Sequence, residues 1–333
     1  KVQMVSYAPL IENAAHGKDH LLVLKNDSVY GRTNYYVLKM FSENRPDVNL
    51  HTDLKPASPE PVFRTNGFIG LGTNNTEAQF KDLKVIVNGE EIYTSGWSDF
   101  VDKWTIIRGD WKTEGNLLSQ SQKGIDALAI LEDREFDDCT IELKAKKISG
   151  TEGFRIVFGG TDSNNYFMAD IGSHTNESVI FREVNNEGSI SLFDYRNTAS
   201  IKTDQWYTVR IEIEGAHWKC FLNDELQYEY TYAPKKKHYV VSGYDRERKE
   251  VIVKLVNAEA GNWKVRLQLD KAKNLASKGT KIVLGADDRF DENSFSDPLK
   301  IVPKVTELSG ISNEFTIDCQ ANSLIVLRIP CEK

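Results

Sequence analysis

Thr208-Val-Arg-Ile-Glu-Ile-Glu214 alternates apolar and polar side chains without a break. Successive side chains of a strand point to opposite faces, so Val209, Ile211 and Ile213 share a buried face while Arg210 and Glu212 share a wet one. The run starts at Trp206-Tyr and is followed by His217-Trp-Lys-Cys-Phe-Leu222, which leads into the turn pair Asn223-Asp224. Further upstream lie Phe68-Ile-Gly-Leu-Gly72, Leu83-Lys-Val-Ile-Val87, Cys139-Thr-Ile-Glu-Leu-Lys-Ala145, Phe154-Arg-Ile-Val-Phe158 and Tyr166-Phe-Met-Ala-Asp-Ile171. Asn88-Gly89 after Val87 is a strong hairpin signal, because both residues tolerate positive φ. Short strands at close spacing with turn signals predict a two-sheet β-sandwich over 62–235.

A second all-β pattern covers 236–333. Its strands are Val251-Ile-Val-Lys-Leu-Val256, Trp263-Lys-Val-Arg-Leu-Gln-Leu269, Lys281-Ile-Val-Leu284, Glu314-Phe-Thr-Ile-Asp-Cys319 and Leu324-Ile-Val-Leu-Arg-Ile329, with Gln320-Ala-Asn-Ser323 as the last turn. This length suits one small sandwich. Pro234-Lys-Lys-Lys-His238 reads as a solvated junction. The segment 1–61 is mixed. Val2 to Pro9 fits a short strand, Leu21 to Leu24 is a second apolar run, and Tyr35 to Phe41 fits a helix capped by Thr33 or Asn34 and stopped at Asn44-Arg45-Pro46. One strand–loop–helix unit cannot bury its own core, so it reads as a small decoration or as the last β/α unit of a larger barrel. The prolines 46, 56, 59 and 61 mark a linker or edge. The fold class is therefore mainly β: two sandwiches preceded by a β/α unit.

The 333 residues are 40% hydrophobic and 27% charged, with a net charge of −7, which suits a folded chain and gives no general hold on phosphate backbones. Nucleic acid is thus not expected as a partner. No apolar run reaches the ~18 residues that span a bilayer. The opening Lys1-Val-Gln-Met-Val-Ser-Tyr7 carries no leader pattern and reads as the interior of a longer protein. Cys139, Cys220, Cys319 and Cys331 form no C-x-x-C pair, which favours buried free thiols, and neither metal nor cofactor is expected. Asp287-Asp-Arg-Phe-Asp-Glu-Asn293 lacks the glycine and final glutamate of an EF-hand loop. No catalytic carboxylate pair stands out. Trp97, Trp111 and Trp206 are candidate sugar-stacking rings, against the alternative that such rings fill the core.

Two ends of the chain resemble one family, the α-L-arabinofuranosidases of glycoside hydrolase family 51. Met4-Val-Ser-Tyr-Ala-Pro-Leu10, Asn26-Asp-Ser-Val-Tyr-Gly31 and Asn34-Tyr-Tyr-Val-Leu-Lys-Met-Phe-Ser-Glu-Asn-Arg45 look like the end of that family's catalytic (β/α)8 barrel. Val241-Ser-Gly-Tyr-Asp245, Asp291-Glu-Asn-Ser-Phe-Ser-Asp-Pro298 and Ser323-Leu-Ile-Val-Leu-Arg328 look like parts of its C-terminal Greek-key sandwich. Gly67-Phe-Ile-Gly-Leu-Gly-Thr73, Ala78-Gln-Phe-Lys-Asp-Leu-Lys-Val85 and Gly109-Asp-Trp-Lys-Thr-Glu-Gly115 between them resemble an inserted concanavalin-like, laminin-G-like module.

The resemblance implies retaining hydrolysis of terminal α-L-arabinofuranosyl residues on arabinose-containing polysaccharides or oligosaccharides, in an exported bacterial enzyme. Its acid/base and nucleophile glutamates belong to segments with no match in this chain, so this piece alone is expected to be inactive. Tyr7, Asn13, His16 and His20 are expected near the substrate in the intact barrel. Where family members often carry a W-N-P-like segment, this chain has His16-Gly-Lys-Asp-His20. The alternative is a non-catalytic, lectin-like carbohydrate-binding protein, for which the Ser6 to Arg45 stretch has no purpose. Subunit count is left open by the sequence.

Overall fold

A computed structural model describes residues 10–15, 20–56, 62–186, 188–192, 199–270 and 272–331. The chain divides into two compact units, Pro61–Pro234, and Lys1–Glu60 together with Lys235–Lys333.

The Pro61–Pro234 unit is a sandwich of two antiparallel sheets. One has eight strands: Glu225–Thr231, His217–Leu222, Trp206–Glu214, Thr140–Gly150, Thr76–Val87, Leu117–Gln120 and Trp111–Glu114 in spatial order, with Glu90–Ser95 also paired to Thr76–Val87. The other has seven: Gly188–Leu192, Ser178–Asn185, Asn165–Gly172, Phe154–Asp162, Gly67–Asn74, Asp126–Phe136 and Trp104–Arg108. The alternation in Trp206–Glu214 is realised: Val209 and Ile211 are fully buried in a shared core with Phe80, Leu118, Ile141, Phe158 and Trp218. Burying each such side chain contributes roughly 1.5–3 kcal/mol. Both expected hairpins form. Val87 pairs with Glu90 around Asn88 (φ 51°) and Gly89 (φ 83°), and Leu222 pairs with Glu225 around Asn223 (φ 51°) and Asp224 (φ 66°). Two consecutive positive φ values give the turn twist that matches paired strands.

The other unit is built on a six-stranded sheet in the order Lys304–Ser309, Lys278–Gly285, Ser323–Pro330, Glu250–Asn257, His238–Asp245 and Val48–Asn49. Val48 pairs with Tyr244, so the segment before the central sandwich and the segment after it share one sheet. The two-stranded sheet Trp263–Gln268 with Glu314–Cys319 supplies Val265, Leu267 and Ile317 to a core with Leu255 and Leu327. Helix Thr33–Glu43 lays Met40 against Ile252, Leu284, Leu324 and Val326. Glu250–Asn257 and Ser323–Pro330 therefore supply residues to two separate apolar clusters, which is why their apolar runs are unbroken rather than alternating.

Helix Thr33–Glu43 differs from expectation at its start. Arg32, in extended conformation, is the N-cap, and no side chain caps it. Asn34 Oδ1 instead accepts from the Tyr35 N–H at 3.0 Å. The end agrees with expectation: Asn44 is the C-cap, its Nδ2 donates to the Met40 carbonyl at 2.9 Å, and Pro46 follows. Lys254 Nζ reaches the Phe41 carbonyl at 3.4 Å and lies 4.4 Å from the Phe41 ring, tying the last turn to the sheet. A cation near a helix C-terminus is favoured by the dipole. The strand expected over Val2 to Pro9 lies outside the described residues.

Candidate functional site

Ile11–Asn13 pairs in parallel with Leu22–Lys25, which forms a hairpin with Ser28–Gly31. Tyr7 and His16 lie outside the described residues. Asn13 and His20 are not brought together. The ladder sets Asn13 against Leu24, whereas His20 enters two residues before Leu22, the partner of Ile11. Asn13 is exposed and its Oδ1 accepts from the Ala15 N–H at 3.0 Å, closing a turn. His20 is buried, with Nδ1 3.2 Å from Glu12 Oε2.

The aromatic candidates separate by strand parity and loop placement. Trp97 and Trp111 are core residues, which corrects the expectation that they stack on sugar. Trp97 is 1% exposed and edges against Phe100 and Trp104 with ring centroids at 6.2 and 5.7 Å. Trp111 stacks on Phe80 at 6.0 Å while its Nε1 donates to the Arg108 carbonyl at 2.9 Å. Trp206 is half-buried, and the Lys81 and Lys146 ammoniums lie 4.4 and 5.1 Å from its ring centre.

The four thiols are buried and unbridged. Burial pushes Cys139 up to about 12 and Cys319 up to about 11, so neither is a thiolate nucleophile or metal ligand near neutral pH. One strand separates those carrying Ile141 and Cys220, since Ile211 pairs with both. Two strand spacings, roughly 9–10 Å, put Cys139 out of disulfide reach of Cys220.

Sequence reading missed a buried polar network. Asp170 accepts from Arg155 Nε at 3.2 Å, Arg182 Nε at 2.6 Å and Ser173 Oγ at 3.1 Å. Its signal was an acid inside the apolar strand Tyr166–Ile171; Arg155 is its direct partner on one flanking strand, and Arg182, opposite Met168 on the other, reaches it diagonally. Burial acts to raise the Asp170 pKa, but the two guanidiniums outweigh it and hold the carboxyl below the usual range. A general acid for glycoside hydrolysis needs the opposite shift. Glu91, Asp162, Asp245 and Asp291 are also shifted down, by hydrogen bonds.

Among the described residues no three His, Cys, Asp or Glu side chains converge as a metal group. The Asp287 to Asn293 loop is organised by Asn293 instead. Its buried amide donates to the Gly31 and Ile301 carbonyls at 2.8 and 2.9 Å, and its Oδ1 accepts from the Ile301 N–H at 2.7 Å. Asn293→Ala is expected to cost about 2 kcal/mol, because three buried backbone groups lose their partner. Urea denaturation reads the loss, and hydrogen exchange at the Ile301 amide should accelerate. Unchanged exchange there would reject the assignment.

A family model described as the alpha-L-arabinofuranosidase C-terminal domain matches residues 1–323. A Streptomyces chartreusis protein named extracellular exo-alpha-L-arabinofuranosidase is 26% identical over 334 residues, covering 98% of this chain and 40% of that protein. The chain thus spans well under half of that relative's length. Among solved structures, an arabinose complex of the Thermotoga maritima alpha-L-arabinofuranosidase is 14% identical, with a TM-score of 0.27 over 37% of this chain and 25% of that one. The thermostable family 51 alpha-L-arabinofuranosidase of Thermotoga petrophila RKU-1 is 16% identical, with a TM-score of 0.26 over the same shares of the two chains. Structural overlaps this loose bear on neither site nor substrate.

Proposed function

This chain belongs to the alpha-L-arabinofuranosidase C-terminal domain family, and on that premise we propose that it is the C-terminal part of an enzyme removing terminal α-L-arabinofuranosyl residues from arabinan or arabinoxylan with retention. The observation that carries this reading is the family match along residues 1–323. Retaining hydrolysis needs two carboxyl groups about 5–5.5 Å apart, one as nucleophile and one as acid/base. Those two glutamates lie outside these 333 residues. The three-stranded Ile11–Gly31 sheet is the closing part of the catalytic barrel. Leu10, Ile11, Leu24 and Val29 stand exposed on or beside it, and a clustered apolar surface in water supports a covering neighbour. Tyr7, Asn13, His16 and His20 take their places near the substrate only when that neighbour is present. The enzyme is exported, to the periplasm or the medium, a reading supported by the extracellular arabinofuranosidase of Streptomyces chartreusis.

The test compares this chain with the longer protein on a chromogenic arabinofuranoside. The longer protein is expected to turn over, and the chain alone to match a heat-killed control. Turnover by the chain alone would reject the placement of the catalytic pair.

A further inference from the structure

The wet face of the eight-stranded sheet carries a row that no role above uses. Trp206 is opposite Lys146, Lys146 opposite Gln79, Gln79 opposite Ser119, and Ser119 opposite Lys112. The row crosses five neighbouring strands, about 19 Å at ~4.8 Å per step. Gln79 Nε2 donates to Ser119 Oγ at 3.4 Å. Lys81 joins diagonally, its ammonium 4.4 Å from the centre of the Trp206 ring. Two carboxylates of this face are taken by other cations, Asp82 by Lys144 at 3.2 Å and Glu77 by Lys123 at 3.3 Å, while Glu114 stands exposed two residues beyond Lys112. Lys81, Lys112 and Lys146 form no ion pair among the described residues. Lys81 and Lys146 thus converge on Trp206 without a paired carboxylate, and Lys112 extends the row, on a chain whose net charge is −7.

We propose that this row binds an acidic polysaccharide, a chain of sugars bearing uronate carboxylates. The indole gives an apolar face for a sugar ring. Gln79 and Ser119 offer an amide and a hydroxyl to sugar hydroxyls, and the ammoniums take the carboxylates. A neutral arabinan makes no use of three unpaired cations. A nucleic acid fits less well, because single-strand sites stack successive bases on several rings and this row carries one. The choice of polymer rests on the polysaccharide reading above, but the test reads binding, not hydrolysis, so the two can fail separately.

The whole chain is titrated calorimetrically with polygalacturonate, neutral debranched arabinan and oligothymidylate, at low and high salt. Polygalacturonate is expected to bind and to weaken as salt rises. Arabinan is expected to bind about tenfold more weakly or worse, a difference of ~1.4 kcal/mol. The double change Lys81→Gln with Lys146→Gln should lower polygalacturonate affinity about tenfold, Trp206→Ala should abolish it, and both proteins should still unfold cooperatively. Changing Lys235, Lys236 and Lys237 together to Gln should leave binding intact. The proposal is overturned if polygalacturonate does not bind, if arabinan binds equally, if the row variants bind as the parent does, if the Lys235–Lys237 change abolishes binding, or if oligothymidylate binds more tightly.

Discussion

Asp170→Asn is expected to destabilise the Pro61–Pro234 unit by about 3–5 kcal/mol, because it leaves the Arg182 guanidinium facing a buried site without its counter-charge and Arg155 with Asp126 alone. Asp170 is 1% exposed and joins Arg155 and Arg182 across three adjacent strands. Arg155 also reaches Asp126 at 2.6 Å, and Arg182 reaches Ser173 and Ser191, each at 2.9 Å. Burial of the carboxylate is costly, and only its full set of partners offsets that cost. The pH dependence has a definite sign. The folded pKa lies below the ordinary aspartate value, since Arg155 and Arg182 outweigh the effect of burial. The carboxylate's contribution is therefore complete above about pH 4, shrinks as pH falls below that, and is lost below the folded pKa. Urea titrations at neutral and acid pH should show the gap between parent and variant closing on acidification. A neutral-pH loss under about 1 kcal/mol would place this network among surface ion pairs and remove its structural role.

Trp218→Ala is expected to cost about 3–5 kcal/mol, as for other large aromatics removed from a core. Trp218 is fully buried, with ring centroids of Phe158, Phe167, Phe181 and Tyr232 at 5.1, 4.8, 5.6 and 5.5 Å. Its Nε1 donates to Thr65 Oγ1 at 2.7 Å, and Thr65 in turn donates to the Gly215 carbonyl at 2.6 Å. Truncation opens a cavity among rings that cannot collapse without leaving their rotamers. Trp206→Ala is the control. That ring is half-buried and held by two surface ammoniums, so its loss should stay near 1 kcal/mol. Equal losses for the two variants in chemical denaturation would contradict the assignment of one ring to the core and the other to the surface.

Much of this was legible residue by residue. Period-two alternation in Thr208 to Glu214 announced a half-buried strand, and Asn88-Gly89 and Asn223-Asp224 announced their hairpins, because both signals act between near neighbours. Tryptophan identity did not say which way a ring faces. Trp111 and Trp206 both open strands, yet the core-facing parity takes Trp111 and leaves Trp206 on the wet side. The Arg155–Asp170–Arg182 alignment depends on the register of three strands, and no single strand encodes it.

By itself the amino-acid order determined the strands, their turns, the mainly β class and the stop of helix Thr33–Glu43 before Pro46. These follow from φ preferences and from side-chain direction along a few residues of chain. Tertiary structure alone decided that Val48 joins Tyr244 in one sheet across the intervening sandwich, that Met40 rests on Ile252 and Val326, and that Lys81 and Lys146 converge on Trp206. Each of these joins groups far apart along the chain. Their pairing is chosen by the burial and charge balance of the whole fold, which leaves no mark on the local pattern.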